Sequence, residues 1–329
     1  MARLNPLEKR EPQEAAHVAE MIDILRRKME RDYAAGKTQR DAHPKTTGVL
    51  RGKFIVPHDL PDALRVGVFA EPRTFDCWVR TSNSSGKPQS DAVPDARGLA
   101  IKLLAPRHKG DGGERGLGQD FVLLSSPTMP LGTVALFRDA VYHTIESSPL
   151  LLAAKFALTG HAGALLGLLG LRVTPGSPLG IRYWSTTPYS FGAGAAVKYS
   201  LLPNHARPAS KPGKPGEDYL AEAMQAHLGK HDCVFDFCVQ LRRDGMPIED
   251  AAVLWNEGRS PFTKVATLVI PAQQFRTARR QALGEQLAFS PGHALPEHAP
   301  LGGLNRARIK IYAALSKFRH RRDQRTLLD

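Results

Sequence analysis

A succession of short apolar runs narrows the fold more than any other feature of the chain. Residues 48–57, 63–70, 75–83, 98–104 and 119–124 are rich in β-branched and aromatic side chains and are parted by Gly, Pro and Asp. Runs of that length bounded by turn residues read as the strands of a meander. Four more follow at 180–187, 194–202, 231–242 and 264–270, after two stretches of helical character at 133–145 and 148–171. Ahead of them all, Val18, Met21, Ile22, Leu25 and Met29 recur at helical spacing, so an amphipathic helix is predicted over residues 12–35, ending near Gly36. Residues 203–217 are rich in Pro and Gly and read as a surface loop. No internal repeat is present.

A chain of 329 residues can bury a substantial core, and 42% hydrophobic with 23% charged residues is the composition of a globular protein. The formal charge of +13 raises nucleic acid or an anionic membrane as partners. The basic residues are dispersed apart from the stretch Lys317 to Arg325, and no helix-turn-helix, finger or aromatic RNA-binding signature occurs, so no nucleic-acid partner is expected. Peripheral contact with a membrane and assembly as a homodimer stay open. Cys77, Cys233 and Cys238 are odd in number and lack framework spacing, and they read as reduced structural thiols. Met1 to Arg10 is charged and has no apolar core, so no secretory signal is expected there and the cytoplasm is the expected compartment. The most apolar stretch, Phe156 to Leu171, is interrupted by glycines and too short for a comfortable membrane span. It is expected to be a buried or interfacial helix.

Near the C-terminus, Arg308 and Tyr312 lie one helical turn apart, and Arg319 continues that face two turns further on. One phenol between two guanidiniums is a setting that favours a tyrosinate. The common use of a buried tyrosinate is as axial ligand of ferric haem, the ligation found in catalases. On the stripe alone, a basic terminal helix decorated by Lys310, Arg319, Arg321 and Arg322 is the simpler reading.

A second constellation shifts that balance. Arg40-Asp41-Ala42-His43 precedes the first strand-like run, and Arg80-Thr81-Ser82 and Asp95-Ala96-Arg97-Gly98-Leu99-Ala100-Ile101-Lys102 follow in order. These segments resemble the haem catalase superfamily, which places an arginine three residues before its distal histidine, then Arg-x-Ser, then Asp-x-Arg-Gly-x-Ala-x-Lys. The segments 183–189, 196–200 and 293–306 have the same look. The resemblance spans roughly residues 40–320 and is closest to short bacterial catalase-related proteins that keep only the haem-binding core. It implies an α+β fold: an N-terminal helical arm over 1–39, then a catalase-like core over 40–329 built on an antiparallel β-barrel with appended helices.

The same resemblance implies a site. One b-type haem would have Tyr312 as its iron ligand beside Arg308, Arg40, Arg80 and Arg319 on its propionates, and Phe137 near a pyrrole ring. His43 would lie over the iron and move a proton between the oxygens of a peroxide, work for which a group titrating near neutrality is suited. Ser82 would orient that imidazole, and an electron donor of unknown identity would complete the reaction. One departure stands out. Where the family has an asparagine whose amide bonds the peroxide, closely followed by proline, this chain has Leu124-Ser125-Ser126-Pro127, then Thr128-Met129-Pro130 in place of aromatics. Ser125 is the residue expected at the asparagine position. The implied activity is that of a haem peroxidase on hydrogen peroxide or on organic, including fatty-acid, hydroperoxides, the latter suiting a widened pocket. The alternative is a haem-binding protein with little turnover.

Overall fold

The computed structural model describes residues 5–105, 116–204 and 210–324. Residues 205–209 of the predicted loop and Arg325 of the basic stretch lie outside them.

Four strands follow one another as an antiparallel meander: β1 (Thr46–Val56), β2 (Arg73–Asn83), β3 (Arg97–Leu104) and β4 (Gly116–Leu124). After an excursion through helices the chain returns as β5 (Tyr183–Trp184), β6 (Tyr189–Ser190), β7 (Ala196–Pro203), β8 (Cys233–Leu241) and β9 (Thr263–Ile270). The sheet runs β5-β4-β3-β2-β1-β9-β8-β7, and pairing of Tyr183 with Leu201 and Trp184 with Ser200 joins its two ends. Eight strands thus make a closed antiparallel barrel, with β6 as a short flap on β7. Closure removes the exposed edges an open sheet would leave.

Strand periodicity sorts the side chains between the two faces of the barrel. Phe75, Cys77 and Val79 of β2, Leu99, Ile101 and Leu103 of β3, and Phe121 and Leu123 of β4 all join the interior core. Aromatic rings dominate it: Phe237 lies 4.6 Å from Phe121 and 5.0 Å from Phe54, centre to centre. All three cysteines are buried thiols outside any disulfide, and burial pushes the Cys233 thiol up to about 12 and the Cys238 thiol up to about 11.

Seven helices are described: α1 (Glu14–Asp32), α2 (Val134–Ile145), α3 (Pro149–Leu158), α4 (Ala162–Gly170), α5 (Tyr219–Leu228), α6 (Ala278–Gln286) and α7 (Gly303–Asp323). The predicted helical period of the arm holds, since Val18, Met21, Leu25 and Met29 of α1 pack against Val134 of α2 and Leu304, Ala307, Ile311 and Leu315 of α7. Arg306 fixes the start of α7 through ion pairs to Glu8 (2.6 Å), Glu14 (2.6 Å) and Glu249 (2.9 Å).

Four expectations need correction. Residues 63–70 are not a strand but two 3₁₀ turns, Asp62–Leu64 and Gly67–Phe69. Gly67 sits at φ +53°, and a Cβ there would fall 2.4 Å from His298 Nε2, so this turn admits only glycine. The run 148–171 is two helices, α3 and α4, parted at Gly160 with φ +76°. The strand predicted over 180–187 shrinks to the two residues of β5, and α5 and α6 were not anticipated.

Candidate functional site

The outward-facing residues of β2, β3 and β4 are aligned by the strand register into three rungs. Ser82, Gly98 and Leu124 face one another across the strands, then Arg80, Ala100 and Val122, then Trp78, Lys102 and Asp120. The helices α1 and α7 and the segment after α6 stand over this face. Between them lies a cavity of about 1040 Å³, walled by apolar residues such as Leu25, Met29, Val122, Leu124, Leu304 and Ile311. The site is therefore on the outside of the barrel.

His43 reaches the first rung from the segment before β1. Its backbone is left-handed, φ +56°, and its Nδ1 lies 3.0 Å from Ser82 Oγ. Arg80 Nη2 donates to the His43 carbonyl at 2.6 Å and both Nε and Nη2 donate to Thr46 Oγ1, which ties the histidine segment to β2. A Cβ on Gly98 would lie 2.8 Å from the His43 ring, so glycine makes room for the imidazole. The rest of the Asp-x-Arg-Gly motif holds the neighbouring loop. Asp95 accepts from Ser84 Oγ and the Ser85 N–H, and the buried Arg97 guanidinium donates to Asn83 and to the Asp91, Val93 and Val173 carbonyls. His43 is half-buried and borders the cavity. Burial, reinforced by the Arg80, Arg308 and Arg40 charges against a weaker opposite pull from Asp95, lowers its pKa to about 4. His43 is a neutral base at neutral pH.

The opposite wall is α7. Arg308 is held by Thr187 Oγ1 (3.3 Å) and Asn305 Oδ1 (3.2 Å), and its guanidinium carbon lies 5.6 Å from the centre of the Tyr312 ring. Burial alone would favour a neutral Arg308, but the phenols of Tyr312 and Tyr189 beside it hold it charged. Arg319 does not complete a pair of guanidiniums around Tyr312. It instead donates to Glu285 (3.1 Å to Oε2), as does Arg40 (3.3 Å to Oε1), and the charge of the buried Arg80 is felt at the same cluster. The three expected propionate arginines are thus brought together, with α6 supplying one carboxylate among them. Phe137 of α2 also borders the cavity.

Ser125 is not brought to the cavity. Its hydroxyl accepts from the Arg97 N–H at 2.9 Å, and its own N–H donates to the Arg97 carbonyl at 2.8 Å. The residue beside Gly98 on the first rung is Leu124, which faces the cavity and offers no hydrogen bond.

Residues that the sequence reading passed over complete the wall. His293 borders the cavity and is held through Nδ1 by the fully buried Asp120 (2.9 Å), which also pairs with Lys102 (3.1 Å) and accepts from the Ser290 N–H. Lys102 and Asp120 lie on the third rung, four residues from the His43 rung, about 13 Å along the strand. Asp120 lies in the strand-like run 119–124 and His293 opens the segment 293–306, and their contact could not be read from spacing.

The walls of the cavity suit a broad apolar body, and Arg40, Arg80 and Arg319 border it together beside the Glu285 carboxylate, a basic cluster in which burial works against the Arg80 charge.

No protein-family model matches the chain, and no curated protein matches it in sequence. Solved structures match it in fold. A fungal catalase is 18% identical over 88% of this chain and 61% of its own, with a TM-score of 0.69. Catalase A from Saccharomyces cerevisiae is 17% identical over 97% of this chain and 68% of its own, TM-score 0.69, and a bacterial catalase is 16% identical over 97% and 63%, TM-score 0.67. At these identities the likeness is one of fold: the chain has the catalase fold, and it spans about three fifths of the fungal catalase it matches.

Proposed function

We propose that this protein is a haem-dependent, catalase-like oxidoreductase that acts on peroxides and favours bulky organic hydroperoxides over hydrogen peroxide. One observation carries the reading: His43 with Ser82, and Tyr312 with Arg308, border the same cavity although 269 residues part them (312 − 43). The residues fit the group. Tyr312 would ligate the iron with Arg308 over its ring, Arg40, Arg80 and Arg319 would hold the two propionates, and Phe137 would pack on the macrocycle.

When bound, ferric haem would supply the two electrons that break the O–O bond, with a second peroxide or an external donor as the source that replaces them. The rest falls to the chain. Ser82 fixes the imidazole through Nδ1, leaving His43 Nε2 to accept the peroxide proton and return it to the departing oxygen. Neutrality of His43 at physiological pH keeps that nitrogen able to accept. Leu124 in the first rung gives the peroxide no donor and leaves apolar space beside it, which suits an alkyl hydroperoxide. Three buried thiols outside any disulfide suit the reducing cytoplasm we assign to the protein.

A second reading, a haem binder with little turnover, draws on the same Leu124. Haem titration followed by rapid-mixing spectra with hydrogen peroxide and with a fatty-acid hydroperoxide separates them. The proposal expects hydroperoxide consumption faster than hydrogen peroxide consumption; an unreactive ferric spectrum with both would leave only the binder, and absence of a haem complex would remove both.

A further inference from the structure

The hairpin of α3 and α4 is poorly covered for its composition. Leu158 is 88% exposed, Leu150 81% and Leu166 71%; Leu169 and Leu151 are more than half exposed, and α4 buries no residue. Exposed apolar surface on this scale marks a contact site. The hairpin's inner side continues into the cavity wall: Phe156 and Leu152 of α3 pack on Met129 and Phe137, and both of those, with Leu171 at the end of α4, border the cavity.

Charge selects the occupant. Between Glu146 and Glu217 the chain has no acidic residue, and of its described Lys and Arg only Lys198, buried in the barrel, and Arg182, paired with Glu257 at 3.1 Å, are plainly withdrawn from the surface. Lys155 is partly neutralised by Asp139 at 2.8 Å, while Arg172, Lys211 and Lys214 are exposed. Tyr219 Oη donates to the Pro175 carbonyl (2.8 Å), which brings the segment following Lys214 back against the chain leaving α4. A second copy would set this basic surface against its like, each copy carrying +13. An anionic bilayer answers both the leucines and the cations. At ten and nine residues, the helices are far shorter than the ~20 a span needs, and no helix among the described residues is long and apolar enough to cross a membrane.

We propose that α3–α4 is an interfacial docking element that seats its leucines in the outer acyl region of a bilayer containing anionic phospholipid. The cavity beneath it then receives peroxidised acyl chains from that bilayer. This second step rests on the peroxide function proposed above; docking itself does not.

The test is co-sedimentation of the full chain, with and without haem, with vesicles of phosphatidylcholine alone and of phosphatidylcholine mixed with phosphatidylglycerol. Binding to the mixed vesicles is expected, weakened by salt, by Arg172→Glu, and at least ~10-fold by Leu158→Ser combined with Leu166→Ser, as loss of buried apolar area requires. Unchanged circular dichroism and haem uptake show that the variants fold. Parent protein that ignores mixed vesicles, or variants that bind as the parent does, overturn the proposal. So does light scattering in which the leucine changes convert a dimer to a monomer while vesicle binding persists, since a second copy would then cover the surface. Binding without turnover of any peroxide supports docking and overturns the peroxide reading alone.

Discussion

Leu124 and Ser125 differ by one position along a strand end, and that difference separates facing the cavity from facing away. Placing a donor by sequence spacing alone is therefore fragile, because a slip of one residue in an extended segment exchanges the two faces. Leu124→Asn is expected to raise hydrogen peroxide turnover about 10- to 100-fold, the worth of one hydrogen bond of roughly 1.5–3 kcal/mol to developing charge, and to slow bulky hydroperoxides; steady-state rates with both substrates check it. Ser125→Asn should leave both rates near those of the parent. Tyr312→Phe should abolish or sharply reduce haem retention, read from the Soret band after gel filtration. His43→Ala should keep haem while losing roughly 10²- to 10⁴-fold in peroxide cleavage. The motifs that carry His43, Ser82, Arg80, Arg308 and Tyr312 were legible because they are local and ordered, and all five residues border one cavity. Glu285 and the contact of Asp120 with His293 were not, because each depends on segments that meet only in the folded chain.

Among the elements, α6 departs furthest from the sequence expectation. It is polar, buries only Gly284 and shows no apolar period, so only its Thr277 cap and its helix-favouring residues mark it as a helix. Yet it delivers Glu285 to Arg40 and Arg319. In the haem-free protein this carboxylate relieves repulsion among three guanidiniums, whereas propionates would compete with it. Glu285→Gln is expected to lower haem-free stability by roughly 1–3 kcal/mol, discounted because Glu285 is about one-third exposed, and to tighten haem binding. Urea denaturation and haem titration of the same variant read the two signs; a change of both in one direction would show that Glu285 does not act as the competing anion. The helix α1 was legible from its periodic apolar face, and α7 was presumed from the stripe of Arg308, Tyr312 and Arg319. The run 63–70 was not, because the need for Gly67 arises from His298, more than two hundred residues away.

For the whole molecule, burial sets the acid limit of stability. His298 sits between the barrel and the turn at Gly67, accepting the Val68 N–H at Nε2 and lying 3.2 Å from Tyr199 Oη through Nδ1. Its pKa, like that of His43, is lowered mainly by burial from 6.5 to about 4. Both rings are neutral when folded and take up protons more readily when unfolded. Their contribution is complete above about pH 6.5 and is lost as the pH falls toward 4, at roughly 3 kcal/mol apiece. Asp41, raised to about 6 by burial, works in the opposite sense between 6 and 3.8 and offsets part of the loss. The urea midpoint should fall between pH 7 and pH 5, and His298→Gln should flatten that slope while lowering stability at pH 7; an unchanged slope would mean that His298 titrates normally. The meander was readable from the spacing of its runs, but closure through the two residues of β5 was not, since so short a strand carries no pattern of its own.

One wall of the cavity is made of strands completed by residue 124, and the other is α7, which begins at Gly303. A growing chain on the ribosome can assemble the meander early, but it holds only half a binding site until Tyr312 has emerged. Capture of any group between the two walls is therefore a late event in biogenesis, and a translation stall before α7 would yield a chain unable to hold a group between them.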